Sequence, residues 1–146
     1  MDSPVKRAAL GFVAAAIAVV TFHQGMWELL HLANIDGLKM PTWFPMDGVP
    51  PWSVPRVLSL CFWGGLYGIP FALLMPRFRL PLWLCGLFLG VIAALVGMFV
   101  VSAIKGTPVG GGWIVMNWVR SLLINGCWGI GVGLIAGFLL PRSAPR

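Results

Sequence analysis

Residues 22–31 of this chain read Phe-His-Gln-Gly-Met-Trp-Glu-Leu-Leu-His and hold both histidines and the only glutamate. They close an apolar run that begins at Ala8 and reaches Trp27 after 20 residues, about the length that a helix needs to cross a bilayer core. Wound as a helix, the polar side chains from His23 to Asn34 fall within one arc of about 140°. We therefore expect a membrane-spanning helix whose last turns carry one polar face.

The composition of the whole chain agrees with an integral membrane protein. Its 146 residues are 59% hydrophobic and only 10% charged, and the mean hydropathy is +0.91. A soluble domain carries about 25% charged residues, so a water-facing surface could not be built from this composition. We expect one domain, residues 1–146, with the lipid bilayer as its first partner.

Apolar runs outline four transmembrane helices and hence an all-α helical bundle. Each run is close to the length of about 20 residues that spans a bilayer core. Prolines stand near their ends, where helix-breaking residues belong: Pro76, Pro81, Pro108 and Pro141. The predicted spans are residues 8–32, 54–75, 80–104 and 112–140, with a long loop over residues 33–53.

The basic residues predict the orientation of these spans. The N-terminus, the second connection and the C-terminus hold six of them, whereas the other two connections hold three, Lys39, Arg56 and Lys105. The six are Lys6, Arg7, Arg77, Arg79, Arg142 and Arg146. Positively charged connections face the cytoplasm, which predicts an N-in/C-in membrane protein with residues 33–53 outside. Basic residues so dispersed do not form a nucleic-acid-binding face.

Small residues form stripes on spans three and four, where they allow helix backbones to approach closely. Two interpretations remain open: packing of the two spans against each other, or an interface with another copy or with a larger membrane complex. The stripe residues are Gly86, Gly90 and Gly97 on span three and Gly126, Gly129, Gly133 and Gly137 on span four.

Span four also carries a polar stripe. Its side chains either hydrogen-bond between helices or share a polar pocket with span one. We expect spans one and four to be neighbours, with His23 in hydrogen-bonding reach of Ser121 or Asn125, directly or through water. Glu28 and Arg120 either form an ion pair or mark the outer interface separately. The candidate ligand-binding residues are His23, Gln24, Trp27, Glu28, His31, Asn117, Arg120, Ser121 and Asn125.

The histidines do not form a recognisable cofactor site. His23 and His31 lie eight residues apart on one helix, about 12 Å in rise, which is too far to bind one ion. Glu28-x-x-His31 matches one Glu-x-x-His element of a di-iron bundle, which needs two such elements and two further glutamates. We expect no haem, no metal and no catalytic residue.

Three stretches, residues 23–31, 58–65 and 120–126, together resemble a group of small four-helix bacterial inner-membrane proteins with no assigned function. The resemblance implies the four-helix topology and no activity, cofactor or site residue. We expect a non-enzymatic structural or accessory membrane subunit, either self-associating or bound to a larger complex. The alternative is a conduit or binding protein for protons or a quinone-like lipophilic ligand, with an outer polar pocket.

Overall fold

The computed structural model describes residues 3–140, and 76% of the chain is helical. Four helices are long and apolar enough to cross a membrane, as expected for a multi-pass membrane protein: α1 Pro4–Ala33, α2 Arg56–Arg77, α3 Leu82–Ile104 and α4 Val115–Leu139. The four-helix prediction is confirmed. Pro141 as a helix end, and Arg142 and Arg146 as topology signals, lie outside the described residues.

The helix boundaries differ from the predicted ones for local reasons. α1 begins earlier, because the Ser3 side chain accepts a hydrogen bond of 3.2 Å from the Lys6 backbone N–H and proline fits the first helical turn. α4 begins later than residue 112, because Gly110, Gly111 and Gly112 all have positive φ angles, from 59° to 65°. Left-handed residues cannot continue a right-handed helix.

Helix α1 lies between α2 and α4, and α3 packs on the other side of α4. Spans one and four are therefore neighbours. The main apolar cluster joins α1, α2 and α4 and consists of Ala14, Ala15, Ala18, Val19, Phe71, Ala72, Met75, Trp128, Val132, Ala136 and Leu140. Within it, Trp128 Nε1 donates a hydrogen bond of 3.1 Å to the Ala15 carbonyl oxygen, which links α4 to α1.

The glycine stripes of α3 and α4 face each other. A Cβ atom at Gly86 would collide with the Gly129 carbonyl oxygen, and one at Gly90 would collide with the Asn125 carbonyl oxygen. A Cβ atom at Gly133 would likewise collide with the Leu82 carbonyl oxygen. Gly126 and Gly137 face leucine side chains of α3. Gly97 is the exception, since no described atom lies within 4 Å of its Cβ position, and so it takes no part in this contact.

A second close helix contact, between α1 and α2, did not emerge from the sequence. Gly11 and Gly68 each lie so close to the other's carbonyl oxygen that a Cβ atom at either position would clash, and Ala15 and Ala72 complete the contact. On α2, Gly68 belongs to a Gly64-x-x-x-Gly68 pattern whose first glycine packs against Val19 of α1. On α1, Gly11 is followed at the same spacing by Ala15, so only one helix of the pair shows the glycine pattern. Both helix pairs thus use small residues to bring backbones together.

The loop between α1 and α2 is ordered by short-range structure. Asn34 ends α1 with a left-handed conformation, φ 51°, and a two-stranded antiparallel ribbon, β1 Gly48–Val49 and β2 Val54–Pro55, leads into α2. The Arg56 and Val57 backbone N–H groups donate to the carbonyl oxygens of Asp47 and Pro45. We call this end of the bundle the first-loop end.

Candidate functional site

A cavity of about 270 Å³ opens at the first-loop end between α1, α2 and α4. Six of the nine candidate binding residues line it, and α2 adds two residues that the sequence analysis did not select, Arg56 and Leu60. The full lining is His23, Trp27, Arg56, Leu60, Asn117, Arg120, Ser121, Ile124 and Asn125. The structure therefore brings the polar faces of the first and last helices together in one place.

His23 and Gln24 form the deep part of the α1 wall. Residues Val19–His23 make a π-helical segment, a local irregularity often found at functional sites. Gln24 Nε2 lies 3.4 Å from His23 Nδ1 and donates to it when Nδ1 carries no proton. The other ring nitrogen, Nε2, makes no hydrogen bond to another described residue, whereas His23 itself lines the cavity and is only 9% exposed.

Gln24 stands behind the cavity and does not line it. Its side chain is 1% exposed, and its Oε1 atom is buried without a hydrogen-bond partner among the described residues. Among the described residues His23 forms no direct hydrogen bond to Ser121 or Asn125, and its Nδ1 pairs with Gln24. A water-mediated contact stays a prediction. The three residues nevertheless line the same cavity.

The α4 wall is organised by hydrogen bonds within its own first turns. Asn117 Nδ2 donates a hydrogen bond of 2.8 Å to the Gly111 carbonyl oxygen, and Arg120 Nη2 donates one of 2.8 Å to Asn117 Oδ1. One turn deeper, Asn125 Nδ2 donates 2.9 Å to the Ser121 carbonyl oxygen. The left-handed glycine turn therefore holds Asn117, and Asn117 in turn orients the guanidinium of Arg120.

Arg56 enters the cavity lining with its charge already compensated. Its Nε donates to both carboxylate oxygens of Asp47, at 3.1 Å and 2.9 Å, and its Nη2 makes a further short contact with the same carboxylate. This pairing lowers the pKa of Asp47 below its usual value, with the hydrogen bond from Arg56 as the largest cause. The pair ties the loop to the start of α2.

Glu28 and His31 are not brought into the cavity. His31 Nδ1 donates a hydrogen bond of 2.6 Å to the Met40 carbonyl oxygen, and its ring centroid lies 4.9 Å from that of Trp43. His31 therefore ties the loop to the end of α1. Trp27 combines both roles, since it lines the cavity and donates 2.7 Å to the Thr42 carbonyl oxygen. Within residues 3–140, Glu28 and Arg120 form no ion pair, and the pair found is Arg56–Asp47.

Sequence reasoning missed Arg56 and Asp47 because the prolines between them conceal their proximity. The ribbon pairs Gly48 with Pro55 and so places the preceding aspartate beside the following arginine. Asp47-Gly48 is a turn signal that precedes a basic residue at a helix start. This signal could have indicated the pair.

The cavity combines cationic and neutral polar groups with a few apolar walls. Its polar lining consists of guanidinium, amide, hydroxyl and imidazole groups, with Trp27, Leu60 and Ile124 as apolar walls. No carboxylate belongs to the lining. In the described part of the chain, no three His, Cys, Asp or Glu side chains come together as metal ligands.

A second groove of about 440 Å³ lies at the opposite end, between α3 and α4. It is lined by Pro81, Leu82, Trp83, Gly133, Leu134 and Gly137. Its side chains are apolar, so it offers shape without polar recognition.

No protein-family model matches the chain, and comparisons with curated proteins and with solved structures give no match either.

Proposed function

We propose that this is a four-span protein of the bacterial inner membrane, with both termini in the cytoplasm and the first-loop end outside. The distribution of basic residues supports this orientation. Arg7 at the start of α1 donates 3.4 Å to the Ala72 carbonyl oxygen near the end of α2, so the N-terminal and second-connection charges lie at the same end. The cavity then opens in the outer half of the membrane.

We further propose that the protein binds a small lipophilic ligand that carries hydrogen-bond acceptors, such as a quinone-like molecule. The observation that carries this proposal is the outer cavity, where donors from α1, α2 and α4 surround apolar walls. Six of the nine lining residues are polar and three are apolar, so this cavity is more polar than the usual ligand site, in which a few placed polar groups stand in a mostly apolar lining. Ser121 Oγ, the guanidinium of Arg120 and, in the tautomer protonated there, His23 Nε2 supply donors for ligand oxygens.

Binding is favoured over proton conduction by what lies beneath the cavity. Below His23 the space between α1 and α4 is filled by tightly buried apolar side chains, among them Val19, Trp128 and Val132, each at most 2% exposed. A proton path needs a chain of titratable groups or water. The cavity is therefore a closed pocket on its inner side.

The accessory-subunit role is the second candidate, and the groove between α3 and α4 supports it. The α3–α4 contact already uses Gly86, Gly90 and Gly129, so these glycines are not free to join two copies. Gly133 and Gly137 border the groove beside Trp83, where another transmembrane helix could seat. Gentle-detergent extraction would then recover a protein partner at fixed stoichiometry, and a Leu134→Trp variant, which fills the groove from an exposed position, would lose it.

The binding proposal is tested with a short-chain benzoquinone and the purified full chain in mild detergent. Ser121→Leu fills the cavity, while Val100→Leu makes a similar change at an exposed position of α3. We expect native mass spectrometry to detect quinone on the wild type and on Val100→Leu, and little on Ser121→Leu. Equal binding by all three proteins, each shown to be folded by circular dichroism, would contradict the proposal.

A further inference from the structure

We infer that the ligand of the outer cavity carries a single negative charge, and that the cavity takes the phosphodiester headgroup of an anionic phospholipid. Arg120 is the residue that would contact the phosphate oxygens. This inference rests on the proposed binding function, a cavity for a lipophilic ligand with hydrogen-bond acceptors, and it assigns those acceptors to phosphate oxygens instead of quinone carbonyls. It comes from the balance of charge in the cavity.

Two guanidinium groups line the cavity, but only one is compensated. Arg56 is held by both oxygens of Asp47. Arg120 is half-buried, and among residues 3–140 its guanidinium donates only to the neutral amide oxygen of Asn117. A cation withdrawn from water is costly unless it is paired, so the site as a whole lacks one negative charge.

The rest of the lining fits a lipid headgroup better than a free ion. Trp27, Leu60 and Ile124 form apolar walls, which a glycerol backbone and the first carbons of an acyl chain would cover. Ser121 follows Arg120 directly on the same wall, and Asn125 stands more than one turn deeper. Phosphate oxygens would thus meet Arg120 while the apolar part of the lipid meets the tryptophan and the aliphatic side chains.

Asp47 limits the affinity of this site. The carboxylate occupies the guanidinium of Arg56, which otherwise would present a second cation to the cavity. Replacing Asp47 with asparagine keeps the size of the side chain and removes the competing charge. The structure therefore predicts a variant that binds the anionic lipid more tightly than the wild type.

The experiment measures lipid binding to the full chain in mild detergent by native mass spectrometry. Phosphatidylglycerol is the anionic probe, phosphatidylcholine the zwitterionic lipid and inorganic phosphate the free ion. We expect a preference for phosphatidylglycerol that Arg120→Gln weakens about tenfold or more, the loss typical of a charge-assisted hydrogen bond. Asp47→Asn should strengthen it by a similar factor, and Arg79→Gln, an exposed change at the opposite end, should leave it unaltered.

Three results would overturn the inference: equal binding of both lipids, unchanged phosphatidylglycerol binding by folded Arg120→Gln, or no gain in Asp47→Asn. Competition by inorganic phosphate as effective as that by phosphatidylglycerol would assign the site to a free anion and overturn the lipid as its source. Binding of the short-chain benzoquinone distinguishes failure of the charge inference from failure of the proposed binding function. If the wild type binds the quinone without preferring the anionic lipid, the charge inference fails and the binding function stands. If it binds neither, both fail.

Discussion

Alanine at Gly90 should disrupt the contact between α3 and α4, whereas alanine at Gly97 of the same helix should not. A Cβ atom at Gly90 would overlap the Asn125 carbonyl oxygen and lie 2.8 Å from its carbon, and both are backbone atoms. At Gly97 no described atom lies within 4 Å of the Cβ position. Both variants add one methyl group to α3, and only the methyl group at Gly90 clashes with the backbone of α4.

The size of the effect follows from two opposing contributions. Alanine in place of glycine favours a helix by roughly 0.5–1 kcal/mol, and both variants share this gain. Overpacking costs about 1–3 kcal/mol, and a backbone atom cannot rotate away as a flexible side chain can. We therefore expect Gly90→Ala to be less stable than Gly97→Ala by about 2–3 kcal/mol.

The assay is equilibrium unfolding of the full chain in mixed micelles, followed by circular dichroism as the fraction of denaturing detergent rises. Gly133→Ala should behave like Gly90→Ala, because its Cβ atom would meet the Leu82 carbonyl oxygen. Equal unfolding midpoints for the Gly90 and Gly97 variants would refute the reasoning. The backbones of α3 and α4 would then not be in contact at Gly90.

Three further predictions concern the core, the orientation and pH. Trp128→Phe removes the hydrogen bond to the Ala15 carbonyl oxygen and should lower the unfolding free energy by about 1 kcal/mol, measured in the same micelles. In a cysteine-free background, an impermeant thiol reagent should label Asp36→Cys in spheroplasts and Arg79→Cys only after lysis. Phosphatidylglycerol affinity should rise as pH falls through the lowered pKa of Asp47, because protonation breaks the ion pair that is present above it, and Asp47→Asn should show no such rise.

The helices themselves could be predicted because each depends on a local property. A run of about 20 apolar residues is visible in the sequence, and prolines and glycines limit its ends. The close contact between α1 and α2 was missed because it depends on Ala15 and Ala72 as much as on Gly11 and Gly68. Alanine is common on every face of such helices, so its presence at a contact is not distinctive.

The candidate site was likewise predicted where it depends on the helical spacing of its residues, and not where it depends on what packs opposite them. The helical spacing of Asn117, Ser121 and Asn125 placed them on one face of span four, and they do share one wall. His31, which lies on the same predicted arc as His23, instead hydrogen-bonds to the loop. A helical wheel gives the direction of a side chain and not what lies opposite it, and here the loop takes one part of the arc and α4 takes another.

The most direct test of the proposed outward-facing pocket is the accessibility of the cavity from outside the membrane. In a cysteine-free background, Asn125→Cys places a thiol on the cavity wall, and Val132→Cys places one in the fully buried core of the same helix. We predict that an impermeant thiol reagent modifies Asn125→Cys rapidly in spheroplasts, that phosphatidylglycerol with short acyl chains slows this reaction, and that Val132→Cys does not react. An unreactive Asn125→Cys, or equal reaction at both positions, would contradict an outward-facing pocket closed on its inner side.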